Sequence, residues 1–326
     1  MIARIPPDRT DAIRTDAAAF LDALPAAGFR GEIGRTHGHR TVLATDNSIY
    51  QRLPQAVVYP RDADDLQRIA RLAGHPNHRS VTLAPRGGGT GTNGQSLTNG
   101  IVVDTSRHMN RILDIDPAQR RVRVEAGVVK DQLNAALRPH GLFFAPDLPT
   151  SNRATIGGMV ATDASGQGSC EYGKTRDHVL AIDAFLIGGE RLTAEPVEDD
   201  DLEALCGRDD AVGRIYRCAR TIHDGQRALI DSAFPPLNRC LTGYDLAHLR
   251  DDRGRFDLSS LLCGAEGTLA LTSEITLNVI PIPAHTALVN IRYAGFMDAL
   301  RDARPIMDGD AEPTSVETVD ETVLAL

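Results

Sequence analysis

The chain has 326 residues, 42% hydrophobic and 24% charged, and its 35 basic against 44 acidic side chains leave a net charge of −9. Such a chain has enough length for about two ordinary globular domains with a full core, which excludes wholesale disorder, a collagen-like repeat and a membrane bundle. The acidic balance shows no basic footprint for a nucleic-acid partner, and any anionic ligand must be held by local groups against the global field.

The elements follow in chain order. Residues 8–28 are Ala-rich with Ile13, Phe20, Leu21 and Leu24 at helical spacing, and Pro25 and Gly28 close the run, which predicts an N-terminal helix. Residues 29–53 are polar and irregular, and His37-Gly38-His39 reads there as a solvated loop rather than a metal site. Residues 55–60 read as a strand, followed by a helix that Asp62 caps and Asp64 and Asp65 favour through the helix dipole. Val81 to Ala84 and Ile101 to Asp104 are predicted strands on either side of a glycine-rich loop. His75-Pro76-Asn77-His78 reads as an exposed loop. Residues 121–126 alternate with period two, predicting a half-exposed strand. A short helix is predicted at about 128–138, a buried strand at 180–188, a helix at 208–232, a strand at 269–280 and a strand–helix pair at 285–304. The acidic run Glu198 to Asp201 reads as a solvated loop.

The domain reading is a helical extension at 1–50, a main unit at 51–281 and the start of a further domain at 282–326. Val323-Leu324-Ala325-Leu326 is apolar and lacks a helix stop, so the chain reads as the front part of a longer protein. The polar N-terminus lacks the apolar core of a signal peptide, which points to the cytoplasm. No apolar run reaches the ~18 residues of a membrane span. Cys170, Cys206, Cys218, Cys240 and Cys263 are odd in number and lack C-x-x-C spacing, which argues against a disulfide framework or a Cys-rich cluster within these residues.

The glycine-rich stretches carry the functional signal. In Pro85-Arg86-Gly87-Gly88-Gly89-Thr90-Gly91-Thr92, three adjacent glycines let the backbone take positive φ and present successive N–H groups to one anion, and the threonines add hydroxyls. This favours a diphosphate cradle over a plain turn. Residues 89–94 also satisfy G-x-G-x-x-G, but Gln95 and Ser96 lead to a strand and not a helix, so a nicotinamide-type Rossmann site is excluded. Residues 168–175 satisfy G-x-x-x-x-G-K-[ST], but a helix precedes them and a strand follows, the reverse of a nucleotide phosphate loop. A second region holds Thr155-Ile156-Gly157-Gly158, predicted to offer free N–H groups at the mouth of a short helix, with Thr162, Ser165 and Gly166 behind it. A third is Cys263-Gly264-Ala265-Glu266-Gly267-Thr268-Leu269. Together they point to one extended ligand wrapped by several loops.

In this order and spacing, the three stretches resemble the FAD-linked oxidoreductases of the vanillyl-alcohol oxidase and p-cresol methylhydroxylase type, over roughly residues 50–280. Leu148 to Met159, Tyr172-Gly173-Lys174-Thr175, Leu241-Thr242-Gly243-Tyr244-Asp245-Leu246 and Ser315 to Asp320 are similar to the large bacterial flavin and iron–sulfur D-2-hydroxyglutarate dehydrogenases. The resemblance implies an α+β, two-subdomain FAD-binding fold of the p-cresol methylhydroxylase type, plus the start of an α/β cap (substrate) domain. It implies that Pro85 to Thr92 cradle the FAD diphosphate, with Gln95 and Ser96 beside them. Pro149, Thr150, Thr155, Gly157, Gly158, Thr162, Ser165 and Gly166 would line the flavin side, and Tyr172, Gly173, Glu266 and Gly267 would complete the site. Some members attach FAD through a histidine in or near the first glycine loop; residues 85–94 contain none, so the implied FAD is non-covalent. Asp163 stands where relatives often have Asn, which puts one flavin hydrogen bond in doubt.

The implied reaction is oxidation of a D-2-hydroxy acid to a 2-oxo acid by hydride transfer to flavin N5, with electrons passed to an acceptor. The alternatives are a D-lactate or glycolate dehydrogenase, or a non-catalytic FAD-binding electron-transfer subunit. A peripheral membrane link through the acceptor and a homo-oligomer are both compatible with the sequence. No H-x-x-x-H pair is present, so no catalytic base or metal ligand is named, and an iron–sulfur cluster or divalent metal is expected only in sequence beyond Leu326.

Overall fold

Apolar side chains at helical spacing build the first helix, Thr15–Ala26, which buries Ala17, Phe20, Leu21 and Leu24. These elements belong to a computed structural model that describes residues 12–235, 237 and 243–325. The predicted start of the first helix at residues 8–11, together with Cys240, Leu241, Thr242 and Leu326, lies outside the described residues.

Four strands form the first sheet: β1 (Glu32–Gly34), β2 (Ala56–Tyr59), β3 (Leu83–Arg86) and β4 (Ile101–Asp104). Their order is β1-β2-β4-β3, with β4 parallel to both β2 and β3 and β1 antiparallel at the edge. All residues of β2 and β4 are buried, which is why they read as unbroken apolar runs rather than alternating ones. Asp62 caps the helix Ala63–Gly74 by accepting from the Asp65 N–H. That helix buries Leu66, Ile69 and Ala70 with Phe20, Leu24, Val58 and Val103 in one core.

Further along come β5 (Ile112–Asp116), β6 (Arg121–Glu125), β7 (Leu142–Phe143), β8 (Val179–Phe185), β9 (Arg191–Ala194), β10 (Leu271–Asn278) and β11 (Ile280–Pro281). Five of them make an antiparallel sheet, β5-β6-β10-β8-β9, and β7 pairs with β11. Strict alternation of buried and half-buried residues along β10 matches its period-two sequence. The helices Lys130–Leu137, Ile156–Ala161 and Ala211–Gly225 contribute Leu133, Ile156, Met159, Val212 and Tyr216 to a second core with this sheet. The α+β, two-subdomain expectation therefore holds. Among the described residues, no helix is long and apolar enough to cross a membrane.

Several local expectations are corrected. Residues 29–53 are not all loop: β1 extends the first sheet, and His37-Gly38-His39 opens the helix His37–Val42, where the Thr36 hydroxyl caps the His39 N–H. The acidic run at 198–201 is the start of the helix Asp199–Cys206, whose first-turn carboxylates meet the positive end of the dipole. The helix at 208–232 is two, Ala211–Gly225 and Arg227–Ala233, broken at Gln226. The third strand begins at Leu83 rather than Val81. His75, Pro76 and Asn77 are exposed as expected, but Pro76–His78 is a 3-10 turn and His78 is half-buried against Phe20. β5 and β9 had no counterpart in the sequence reading. Residues 285–294 form no strand, because nothing among the described residues pairs with them; the helix Phe296–Met307 does form.

Candidate functional site

A cleft of about 750 Å³ brings the three glycine clusters together, and the glycines are the points at which the loops touch. A Cβ on Gly87 would lie 2.0 Å from Thr155 Oγ1, and one on Gly88 would lie 2.1 Å from the Arg153 carbonyl oxygen. These two positions press the first loop onto the second region. Gly267 has φ +75°, and a Cβ there would lie 2.1 Å from Pro85 Cγ, which joins the third cluster to the first. At none of the three is there room for a larger residue.

The first loop has the electrostatics of an anion cradle. Among the described residues, no group accepts from the backbone N–H of Gly87, Gly88, Gly89, Thr90, Gly91 or Thr92. Gly87 to Gly91 are half-buried and Thr92 is exposed, and a run of unpaired amides along a cleft wall suits an external acceptor, because half-buried N–H groups rarely go unmatched.

The second region behaves differently from the expectation. Its first-turn amides are not free. The Ile156 N–H donates to the Val128 carbonyl at 2.8 Å, the Gly157 N–H to the Ala126 carbonyl at 2.7 Å and the Gly158 N–H to Thr155 Oγ1 at 3.2 Å. The helix mouth is therefore closed by protein, and its glycines serve close packing: a Cβ on Gly157 would lie 2.7 Å from the Ala126 Cβ. The polar atom this region does leave open is Ser165 Oγ, which is buried without a partner in a residue that lines the cleft.

Asp163 lines the same wall with φ +45°, a conformation that L side chains seldom adopt. Both carboxylate oxygens are committed: Oδ2 accepts from Lys174 Nζ at 2.7 Å and Oδ1 from the Arg176 N–H at 2.9 Å. Lys174 is buried in this pair, which removes it from any phosphate-loop role. The Arg176 guanidinium pairs with Asp245, which faces the cleft beside Tyr244. Tyr244 Oη lies 2.7 Å from Thr268 Oγ1.

The third cluster seals the far end of the Ile156–Ala161 helix. The Gly264 N–H donates to the Val160 carbonyl at 2.9 Å and the Glu266 N–H to the Ala161 carbonyl at 2.8 Å. Glu266 sits at φ +51°, and partial burial pushes its carboxyl above the usual range. Burial pushes the Cys263 thiol up far more strongly, so it stays protonated.

Comparison with known proteins agrees with this geometry. A family model described as FAD binding domain matches residues 54–195. The chain carries an FAD binding domain. It is 64% identical over 94% of its length to a D-2-hydroxyglutarate dehydrogenase of Pseudomonas putida, and 52% identical over 94% to one of Escherichia coli. It spans about 30% of the length of each. Among solved structures, an alkyldihydroxyacetonephosphate synthase superposes with a TM-score of 0.59 at 18% identity, covering 88% of this chain and 45% of that one, a likeness of fold.

The residues present suit FAD: an unpaired amide run for a diphosphate, an orphaned hydroxyl and a cleft walled by three glycine clusters. Of the sequence-nominated residues, Pro85 to Thr92, Gln95, Ser96, Thr150, Thr155, Gly157, Gly158, Thr162, Ser165, Glu266 and Gly267 line the cleft. Pro149, Gly166, Tyr172 and Gly173 do not. Gly166 instead lets the Asp147 carbonyl pass at 1.4 Å from where its Cβ would be, and Tyr172 packs edge-on against Phe143. Gly173 takes φ +77° beside Asp177, and Pro149 is exposed. The sequence reading missed the wall made by Tyr244, Asp245 and Cys263. The resemblance at 241–246 was the available signal for the first two, and the place of Cys263 at the head of the third glycine stretch was the signal for the third.

Proposed function

We propose that this chain holds FAD non-covalently in the three-glycine cleft and forms the flavin part of an enzyme that oxidises a D-2-hydroxy acid, D-2-hydroxyglutarate, to its 2-oxo acid. The observation that carries the reading is the 64% identity over 94% of the chain to a protein named for that reaction. Bound FAD supplies the acceptor for the hydride leaving the hydroxyl-bearing carbon. The chain's own residues bind and orient. The amides of Gly87 to Thr92 hold the diphosphate, Ser165 Oγ hydrogen-bonds the flavin end, and the Tyr244–Thr268 contact bounds the cleft wall.

Asp163 works as half of an internal ion pair, which accounts for a carboxylate at that position without a direct flavin bond. Residues 51–281 make up the FAD unit, joined by β1 from the N-terminal segment, and residues from 282 onward begin the substrate domain. Leu288, Val289 and Ile291 are exposed there, and the helix Phe296–Met307 buries none of its residues, which suits elements that gain their core from further polypeptide. Among the described residues, no group of three or more His, Cys, Asp or Glu is arranged to hold a metal ion, so no metal ligand is assigned to this part.

The test is a visible spectrum of the purified protein before and after acid precipitation, then flavin reduction by D-2-hydroxyglutarate, D-lactate and glycolate with the complete enzyme. Flavin released to the supernatant and reduced fastest by D-2-hydroxyglutarate is the expected result. Flavin retained in the pellet would refute non-covalent binding, and preferential reduction by D-lactate or glycolate would refute the substrate.

A further inference from the structure

We propose that Arg86 is a positioning residue that backs the glycine loop with a buried cation held by neutral acceptors rather than by a direct ion pair, giving the loop its preference for a diphosphate without itself ligating it. The inference rests on the reading of this cleft as the FAD site.

Four observations place it. Arg86 is 7% exposed, and among the described residues no carboxylate lies within ion-pair distance of it. Its fork donates to neutral acceptors: Nη2 to the Thr45 carbonyl at 2.7 Å, and Nη1 to the Leu43 carbonyl at 3.2 Å and Ser96 Oγ at 3.4 Å. The guanidinium lies against the loop, since a Cβ on Gly89 would be 2.4 Å from Nη2 and 3.0 Å from Cζ. The segment it grips is tied to the loop independently, by the Asn47 N–H donating to the Gly89 carbonyl at 3.2 Å and Ser96 Oγ donating to Asp46 Oδ2 at 3.0 Å.

This arrangement does two things. The carbonyl-bound fork fixes Gly89 at φ +63°, the turn that lets the following amides run along the cleft. The charge has no direct ion pair; Asp104, its register partner on β4, and Asp46, reached through Ser96 Oγ, favour the charged form and burial opposes it. In a chain of net charge −9, the loop needs such a local source of positive potential to attract a dianion. Burial weakens the screening by solvent and salt, so the field persists at ordinary ionic strength. The sequence alone suggested that Arg86 would reach the phosphates; its donors instead point to the 43–45 carbonyls.

The experiment measures affinities of the wild type, Arg86→Met and Arg86→Lys for FAD by fluorescence quenching, and for riboflavin, which lacks the diphosphate, by displacement of bound FAD. A nearby charge at protein-like dielectric is worth a few kcal/mol, so Arg86→Met is expected to weaken FAD about ten- to a hundredfold, with riboflavin changed by about twofold or less. Arg86→Lys keeps the charge and is expected to hold the FAD-to-riboflavin preference within about threefold of wild type, even where thermal stability falls. Equal loss of both ligands in Arg86→Met would show a shape effect only and overturn the proposal, as would unchanged FAD affinity. Should Arg86→Met not fold, the lysine variant decides: a collapsed preference overturns the proposal and a retained one supports it. Failure of the wild type to bind FAD would instead overturn the reading of the cleft.

Discussion

Gly88→Ala tests whether the glycines are joints between loops. The new methyl would sit 2.1 Å from the Arg153 carbonyl oxygen and 2.9 Å from its carbon. Neither can swing away, because the Arg153 and Ala154 N–H groups both donate to the Thr150 carbonyl at 2.8 Å, and the Lys130 N–H donates to the Ala154 carbonyl at 3.0 Å. The joint must therefore open by about 1 Å, an overpacking strain of about 1–3 kcal/mol. The free protein can relieve much of it by letting the first loop lift off the second region. Binding FAD across both regions restores the strain, so affinity is expected to fall about five- to 150-fold. The assay is FAD titration followed by fluorescence quenching, with thermal unfolding measured with and without FAD. Gly225→Ala is the control: it lies in a helix end, its methyl meets nothing within 4 Å, and wild-type affinity is expected. Wild-type FAD affinity in Gly88→Ala would refute the joint argument.

The buried Asp163–Lys174 pair predicts a strong single-mutant effect. Lys174→Met leaves a carboxylate unpaired in the core and should cost about 3–5 kcal/mol, visible as a lower unfolding midpoint, while adding Asp163→Asn should recover most of it. A single mutant of wild-type stability would contradict the pair's isolation from solvent. His178 is buried with Nε2 near the Tyr172 carbonyl, and burial holds its pKa below 6.5 against the opposing pull of that carbonyl and Asp177. The unfolded chain then binds the proton more readily, so stability is expected to fall as pH drops below about 6.5. His178→Gln should flatten that slope in unfolding curves taken from pH 7.5 to 5.5, and an unchanged slope would reject the assignment. Cys263 and Cys206 are buried and Cys170 and Cys218 are exposed. Thiol labelling mapped by peptide mass should therefore modify the exposed pair in the native protein and reach Cys263 only on unfolding; fast native labelling of Cys263 would contradict its burial.

Elements whose own residues decide their structure were legible. β2, β4, β6 and β10 were found because continuous or period-two apolar patterns report burial directly, and the Asp62 cap was legible from one carboxylate before a helical run. The missed elements depend on partners. β5 is half-exposed with no clean alternation, and it is held by pairing with β6. β1 is three residues long and exists because β2 offers it an edge. The same dependence explains the reverse error at 285–294, where Leu288, Val289 and Ile291 suit a strand but no neighbour among the described residues completes one.

The candidate site shows the limit more sharply, because glycine has several uses that a sequence writes identically. Gly87 and Gly157 look alike as members of glycine pairs or runs. In the structure, the Gly87 amide is unpaired beside the cleft, whereas the Gly157 amide is spent on the Ala126 carbonyl. What separates them is the chain segment behind Gly157: Ala126 to Val129 runs antiparallel against the Thr155 region, and its carbonyls take the Ile156 and Gly157 donors. Arg86 shows the same limit from the other side. An arginine within a glycine loop suggests a phosphate ligand, yet the carbonyls of Leu43 and Thr45, some forty residues upstream, capture its fork. The three clusters could be read as one site because a ligand as long as FAD needs several loops. Which groups of those loops are free to meet it was decided by backbone carbonyls, and any residue type can supply those.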